Sequence, residues 1–255
     1  MRKIFYLLST IALCSFFFSC EKDSYEPSTD KLLPSKMVHG GDWGPAETQY
    51  YYDNLNRLIR TENKDIGNTR STEVFTYNES GELTSVKRTS DTYPDQETIF
   101  TRQGNTITAV KGSETRTITL DNNGLPIKCI RVEKSNNYID TTIYEFDSRG
   151  NMTRSTLEEP ESSYDGSSTT YKYDNRNGVY RYVNVPAWYK CLYLWASTNN
   201  KTGSWRSDYD YVPEITITYN EKDYPVKIVT FVPNVADANG TNTYEYIPAI
   251  ETTTE

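Results

Sequence analysis

Hydrophobic and polar positions alternate along most of this chain. In Glu214-Ile215-Thr216-Ile217-Thr218-Tyr219 the apolar side chains fall on one face and the threonines on the other. Thr117-Ile118-Thr119-Leu120 and Tyr171-Lys172-Tyr173 do the same. A period of two, rich in β-branched and aromatic residues, predicts half-buried β-strands. Many of these arms end in an aromatic or aliphatic residue, then Asp or Asn, a short polar turn and a second strand. The copies read Tyr50-Tyr51-Tyr52-Asp53 to Leu58, Phe75-Thr76-Tyr77-Asn78 to Leu83, Ile118-Thr119-Leu120-Asp121 to Leu125, Tyr144-Glu145-Phe146-Asp147 to Met152, Tyr171-Lys172-Tyr173-Asp174 to Val179, and Ile217-Thr218-Tyr219-Asn220 to Val226. Asp or Asn after the last aromatic can bond its own backbone and start the turn. Asp121-Asn122-Asn123-Gly124 and Ser148-Arg149-Gly150-Asn151 supply residues that tolerate positive φ.

The residues before each Asp or Asn fall at 52, 77, 120, 146, 173 and 219. The spacing is 25 to 27 residues wherever copies are adjacent. The 43-residue gap after position 77 hides a degenerate copy at Phe100–Ile107, with Gln103-Gly104-Asn105 as its turn. The 46-residue gap after 173 holds an insertion, placed at 180–213. A last aromatic strand, Asn242-Thr243-Tyr244-Glu245-Tyr246, closes the series. The expectation is an all-β antiparallel meander of about seven hairpins and fourteen or fifteen strands. So wide a meander twists and curls, and closing removes exposed edges, so a barrel or strongly coiled sheet is expected.

The N-terminus reads differently. Arg2-Lys3 precede an apolar run from Ile4 to Phe18, too short for a comfortable spanning helix. The run ends Phe17-Phe18-Ser19-Cys20, a small residue before Cys at the place of a cleavage site, which resembles the lipobox of bacterial lipoproteins. That resemblance implies a signal peptide over 1–19 and lipid on Cys20; an ordinary secretory signal is the other reading. Glu21-Lys22-Asp23 is similar to the acidic surface-export signal of Bacteroidetes-type lipoproteins. Pro27, Pro34, Gly40, Gly41, Gly44 and Pro45 extend the tether over 20–45, with the β domain at 46–250 and a tail at 251–255.

Tyr-x-Tyr-Asp followed by Gly-x-Leu resembles the YD repeats of Rhs-type proteins, with Asp replaced by Asn at 78 and 220 and few copies. Together with the lipobox and tether it resembles Bacteroidetes lipoproteins of unknown function whose domain is described as porin-like. The resemblance implies a barrel-like fold over about 45–250 and supplies no catalytic residues.

Composition narrows the function. The chain carries 27 Lys+Arg against 35 Asp+Glu, net −8, and loss of Arg2 and Lys3 with a signal peptide makes that −10. Such a surface repels phosphate backbones, so nucleic acid is not an expected partner. Mean hydropathy is −0.73 and the strands' second face is Thr, Lys, Glu and Arg, which argues against a lipid-facing barrel wall. Membrane contact is expected through the N-terminal lipid alone, at the outer membrane, with the domain periplasmic or surface-exposed. The single histidine, His39, falls in the tether, and no paired Cys or Gly-rich phosphate loop is present, so neither metal nor cofactor is expected. No nucleophile–base constellation stands out, and no catalytic residue is assigned. Cys129 and Cys191 read as small buried thiols.

The insertion concentrates aromatics, including three of the four tryptophans. Pro186 opens a short helix in which Trp188, Cys191, Leu192 and Trp195 share one face. One reading makes this helix a plug whose tryptophans are core. The other makes Trp205, Tyr209 and Tyr211, with Tyr189 and Tyr193, an aromatic ligand platform, since flat rings with hydroxyl handles suit glycans. Asp208 and Asp210 could offer oxygens to Ca²⁺, but a surface acidic pair is the simpler reading without an EF-hand spacing. Three function classes follow: an envelope module binding a glycan or peptide, a structural component binding another envelope protein, and a carboxylate-based hydrolase.

Overall fold

In the computed structural model, residues 28–41, 46–160, 162–208, 212–233 and 239–251 are described. They form a single antiparallel sheet of sixteen strands and one α-helix. The strands are β1 (Leu32–Gly41), β2 (Ala46–Tyr52), β3 (Leu58–Lys64), β4 (Arg70–Tyr77), β5 (Leu83–Ser90), β6 (Gln96–Gln103), β7 (Thr106–Lys111), β8 (Glu114–Leu120), β9 (Pro126–Glu133), β10 (Tyr138–Phe146), β11 (Met152–Glu158), β12 (Ser168–Tyr173), β13 (Lys201–Arg206), β14 (Glu214–Tyr219), β15 (Pro225–Phe231) and β16 (Gly240–Pro248). The helix, α1 (Ala187–Tyr193), lies between β12 and β13. The expected meander is therefore present, and the degenerate copy is the β6–β7 hairpin, turning at Gly104-Asn105.

Closure comes from the chain ends. β1 pairs with β2 on one side and with β16 on the other, so the meander curls round until β13 and β14 are its free edges. Those two edges approach within 8 Å, Cα to Cα, which leaves a nearly closed barrel with one seam. β1 lies inside the segment that the sequence assigns to the tether, so the domain starts before residue 46. Pro34 and the Gly40-Gly41 pair masked this strand; Pro34 sits at a register shift in the β1–β16 ladder, where a missing N–H is tolerated. His39 consequently belongs to the sheet, with Nδ1 2.7 Å from Asn242 Oδ1 on β16.

The recurring turns share one mechanism. The Asp or Asn side chain accepts backbone N–H groups two and four residues on: Asp53 from Leu55 and Arg57, Asp121 from Asn123 and Leu125, Asp147 from Arg149 and Asn151, Asn220 from Lys222 and Tyr224, all at 2.8–3.0 Å. The third residue after the Asp or Asn has positive φ: Gly81, Gly124 and Gly150, but also Asn56 and Asp223. Asn and Asp tolerate this conformation better than other side chains, which is why the turn survives without glycine there. A register shift precedes each turn, between Tyr51 and Tyr52 for example, and bends the strand end.

The turn after β12 is the exception that makes the plug. Asp174 accepts the N–H of Arg176 at 3.1 Å, as its counterparts do, but its second partner is the N–H of Asn200 at 3.0 Å. Asp174 N–H donates to Asn200 O at 3.1 Å, the bond that Asp53 makes to Arg57. The insertion therefore occupies the residues between 174 and 200, not 180–213, and Lys201–Arg206 is already strand.

Inside the barrel the insertion supplies the core. Tyr50, Phe75, Val86, Phe100, Ile118 and Cys129 form an apolar belt on the inner face, and Trp188, Tyr189 and Leu192 of α1 pack on it. Phe100 meets Trp188 at 5.1 Å between ring centroids and Tyr189 edge-on at 6.0 Å. Each such buried aromatic contributes about 1.5–3 kcal/mol. The plug reading of α1 holds for Trp188, Cys191 and Leu192, but the helix stops at Tyr193 and Trp195 leaves the stripe. On the outer face, Arg60, Val74, Lys87 and Glu97 follow one another across four strands, all exposed.

A buried asparagine network fixes the plug to the wall. Asn177 is fully buried and donates to Ser28 O (3.0 Å) and Lys222 O (3.2 Å). Asn151 Nδ2 donates to Asn199 Oδ1 at 3.0 Å, and Asn199 N–H returns a bond to Asn151 Oδ1 at 2.9 Å. Tyr219 Oη on β14 donates to Asp174. At the turn end of the seam, side chains thus join the elements that the ladder leaves apart.

Candidate ligand site in the barrel lumen

The plug partitions the lumen. At the turn end a recess of about 480 Å³ lies between the hairpin turns and the start of α1. At the opposite end a larger recess, about 690 Å³, is walled by Glu73, Arg88, Lys111, Glu114, Arg116 and Glu133 of the strands and floored by Tyr189, Leu192, Tyr193 and Trp195. Toward the seam a third, about 380 Å³, is lined by Trp195, Tyr173, Lys201, Tyr244 and Asn242. These volumes fall in the range of small-ligand sites.

Trp195 faces both of the last two recesses. Its side chain is 71% exposed, the most exposed large hydrophobic residue among those described. Its φ is +50°, in the left-handed region. The wrap of the helix end dictates that conformation: Leu194 N–H donates to Tyr189 O at 3.3 Å and Ala196 N–H to Lys190 O at 3.0 Å. Glycine or asparagine is the usual residue at such a C-terminal position. A bulky side chain there costs about 1–2 kcal/mol, and at Trp195 core burial does not offset that cost.

Beside it the floor is ordered. Tyr189 and Tyr193 stack at 4.7 Å with planes 7° apart. Arg116 lies 5.7 Å over the Tyr193 ring and donates Nε to Glu114 Oε1 at 2.8 Å. Burial pushes the Tyr193 hydroxyl up to about 12, so it stays a neutral donor. On the seam side, the Lys201 ammonium stands 4.4 Å from the centroid of the Tyr171 ring. Burial lowers its pKa, and no acidic group offsets that. Within the plug, burial brings Lys190 down to about 8, with Nζ donating to Arg181 O at 3.1 Å. Cys129 and Cys191 are free and buried, and burial raises them to about 11 and about 12, which makes them inert thiols.

The five aromatic residues singled out in the sequence do not share one surface. Tyr189 and Tyr193 lie in the lumen. Trp205 pairs with Thr170 on the outer face of β13, across the wall from the inward-facing Tyr171 and Tyr173. Tyr209 and Tyr211, like Cys20, lie outside the described residues. Asp208 is held by Arg206 Nε at 2.7 Å, and Asp210 is outside the described residues. Among the described residues no group of three or more His, Cys, Asp or Glu is placed to hold a metal ion. The sequence reading missed Trp195 and Lys201. Periodicity carried the helix through Trp195, and Lys201 fell within the insertion placed at 180–213.

No family model matches the chain, and no curated protein matches it. Among solved structures it is similar to a porin-like protein from Bacteroides uniformis ATCC 8492, at 12% identity over 87% of this chain and 100% of that one, TM-score 0.43. A porin-like protein from Bacteroides vulgatus ATCC 8482 matches at 13% identity over 86% and 100%, TM-score 0.44. A TcdB2-TccC3 structure matches at 16% identity over 77% of this chain and 10% of that chain, TM-score 0.32. The barrel architecture itself rests on the strand register set out above.

Proposed function

We propose that this protein is a lipid-tethered, non-catalytic binding module of the cell envelope whose ligand, a glycan, enters the barrel lumen and stacks on the aromatic floor of the plug. Trp195 carries this reading: an indole held open to the lumen in a backbone conformation that disfavours it is an outlier that packing does not explain. Tyr193 beside it, stacked on the buried Tyr189, extends the aromatic floor, and the charged wall of the far recess offers hydrogen bonds to sugar hydroxyls.

The direction of the tether supports it. Leu32 N–H donates to Tyr224 Oη at 3.0 Å and Ala249 N–H to Lys31 O at 2.9 Å, so both ends of the domain lie at the turn end. A tether from a lipidated Cys20 enters there, and the far recess opens away from the membrane. The exposed charges of Arg60, Lys87 and Glu97 on the outer wall favour tethering over spanning, because charge in the hydrocarbon layer costs a few kcal/mol per residue.

The test is a titration of the full-length protein with a glycan panel, read by tryptophan fluorescence and calorimetry. Saturable binding to one glycan class, weakened about tenfold or more by Trp195→Ala, is expected. Silence across the panel, or affinity indifferent to Trp195→Ala, overturns the lumen reading and returns weight to an envelope-protein partner.

A further inference from the structure

The seam-side recess has a chemical signature of its own. Its described lining is apolar, aromatic, hydroxyl and amide, and Lys201 is the one charged residue among those described. The ammonium is part-buried and stands 4.4 Å from the centroid of the Tyr171 ring, a weak substitute for an anion. A desolvated cation without a counter-ion is unfavourable in the empty protein and becomes favourable when a ligand brings the opposite charge. Two other cations of the inner wall are matched by carboxylates: Arg116 by Glu114 at 2.8 Å and Arg131 by Asp140 at 2.6 Å. Asp174, next to the β12 partner of Lys201, is already engaged by two backbone N–H groups, Asn200 Nδ2 and Tyr219 Oη. Trp195 closes the same recess with a free ring face.

We infer that this recess takes a carboxylate-bearing saccharide unit, its ring face on Trp195 and its carboxylate on Lys201. This deepens the proposed function and rests on it. The roughly 380 Å³ volume holds a single sugar ring with its substituents, which leaves the rest of a chain to run into the larger recess that shares Trp195. Tyr173, Asn242 and Tyr244 present hydroxyl and amide groups to the sugar hydroxyls.

The experiment compares short oligomers of glucuronate and galacturonate with matched oligomers of glucose and galactose, titrated calorimetrically into the full-length protein. The acidic oligomers should bind about tenfold tighter or better, the scale of a hydrogen bond to a charged group. Lys201→Met should erase that advantage and leave neutral oligomers unchanged, while Lys201→Arg should keep it. The Arg variant guards against misreading a folding defect. Equal binding of neutral and acidic oligomers overturns the carboxylate assignment but leaves the glycan reading standing. No binding of either set overturns both. Binding of acidic peptides with no acidic saccharide bound overturns the saccharide assignment.

Discussion

The backbone N–H of Asn200 donates to the Asp174 carboxylate at 3.0 Å, taking the place that the residue four positions on holds in the other turns. The plug is thus a turn opened between its second and last hydrogen bonds, and the sheet on either side keeps its register. A barrel can accept an insertion of this kind at little cost, because the closing bonds do not depend on what lies between them. Loop-closure entropy grows slowly with length, which points the same way.

Removing the closing carboxylate should separate the plug from the wall. Asp174→Ala deletes acceptors for the Arg176 and Asn200 N–H groups, for Asn200 Nδ2 and for Tyr219 Oη. Bonds to a charged acceptor are worth about 1.5–3 kcal/mol each, not additively. We expect a loss of about 3 kcal/mol in urea denaturation, with faster amide exchange in β13 and β14 than in β4 to β9. Uniformly faster exchange would show that the seam is not held there.

Asn177 makes the same point from the other side of the seam. It joins the insertion to residue 28 and to the β14–β15 turn through two side-chain donors, fully buried. Asn177→Leu is of similar size but removes the donor to Ser28 O and Lys222 O from a fully buried position, and a loss of about 1–3 kcal/mol is expected in urea denaturation. A midpoint unchanged from the parent protein would mean that water replaces the amide and that the buried network is incidental.

The buried Lys190 gives a pH-dependent prediction with a definite sign. Its pKa falls from 10.5 to about 8 on folding, so between those values the unfolded chain binds more protons than the folded one. Stability from this group therefore rises as pH climbs from about 8 to 10.5 and is flat below about 8. The full penalty at neutral pH is roughly 3 kcal/mol. Lys190→Met removes it. The variant should be the more stable protein at pH 7, and its advantage should shrink as pH is raised toward 10. Because the shifted tyrosines titrate in both proteins, the difference between the two stability curves is the quantity to measure. A constant difference across that range would contradict the burial of the charge.

Much of this fold was legible because alternation and turn chemistry are local. Thr117 to Leu120 and Glu214 to Tyr219 announce their inward faces by period two, and Asp121 to Gly124 announces its turn by side chains that bond within it. The strand at Leu32–Gly41 was hidden by Pro34 and two glycines, since what makes it a strand is pairing with β16, some two hundred positions away. The site was less legible for a related reason. Trp205 and Tyr189 are close in sequence and lie on opposite sides of a wall whose path depends on β12 and β13 pairing. Trp195 looked like the last residue of an apolar stripe, because periodicity cannot see where a short helix wraps up. The polar run Ser197-Thr198-Asn199-Asn200, one residue beyond it, was the available sign that the helix ends early.

Trp195 offers the sharpest separation of stability from function. At φ +50° glycine carries no side-chain penalty, so Trp195→Gly should stabilise the barrel by about 1 kcal/mol, since the exposed indole forfeits little packing. The same substitution should abolish the glycan-induced fluorescence change and weaken binding at least tenfold by calorimetry. Trp205→Ala, on the outer face, should leave both properties as they are. A destabilised Trp195→Gly protein would show that the indole packs after all and that the strained conformation is repaid in the core. Retained affinity in that variant would move the ligand off the plug. A residue whose removal makes the protein more stable and less able to bind is held in place by function, and that combination of outcomes is what the lumen site requires.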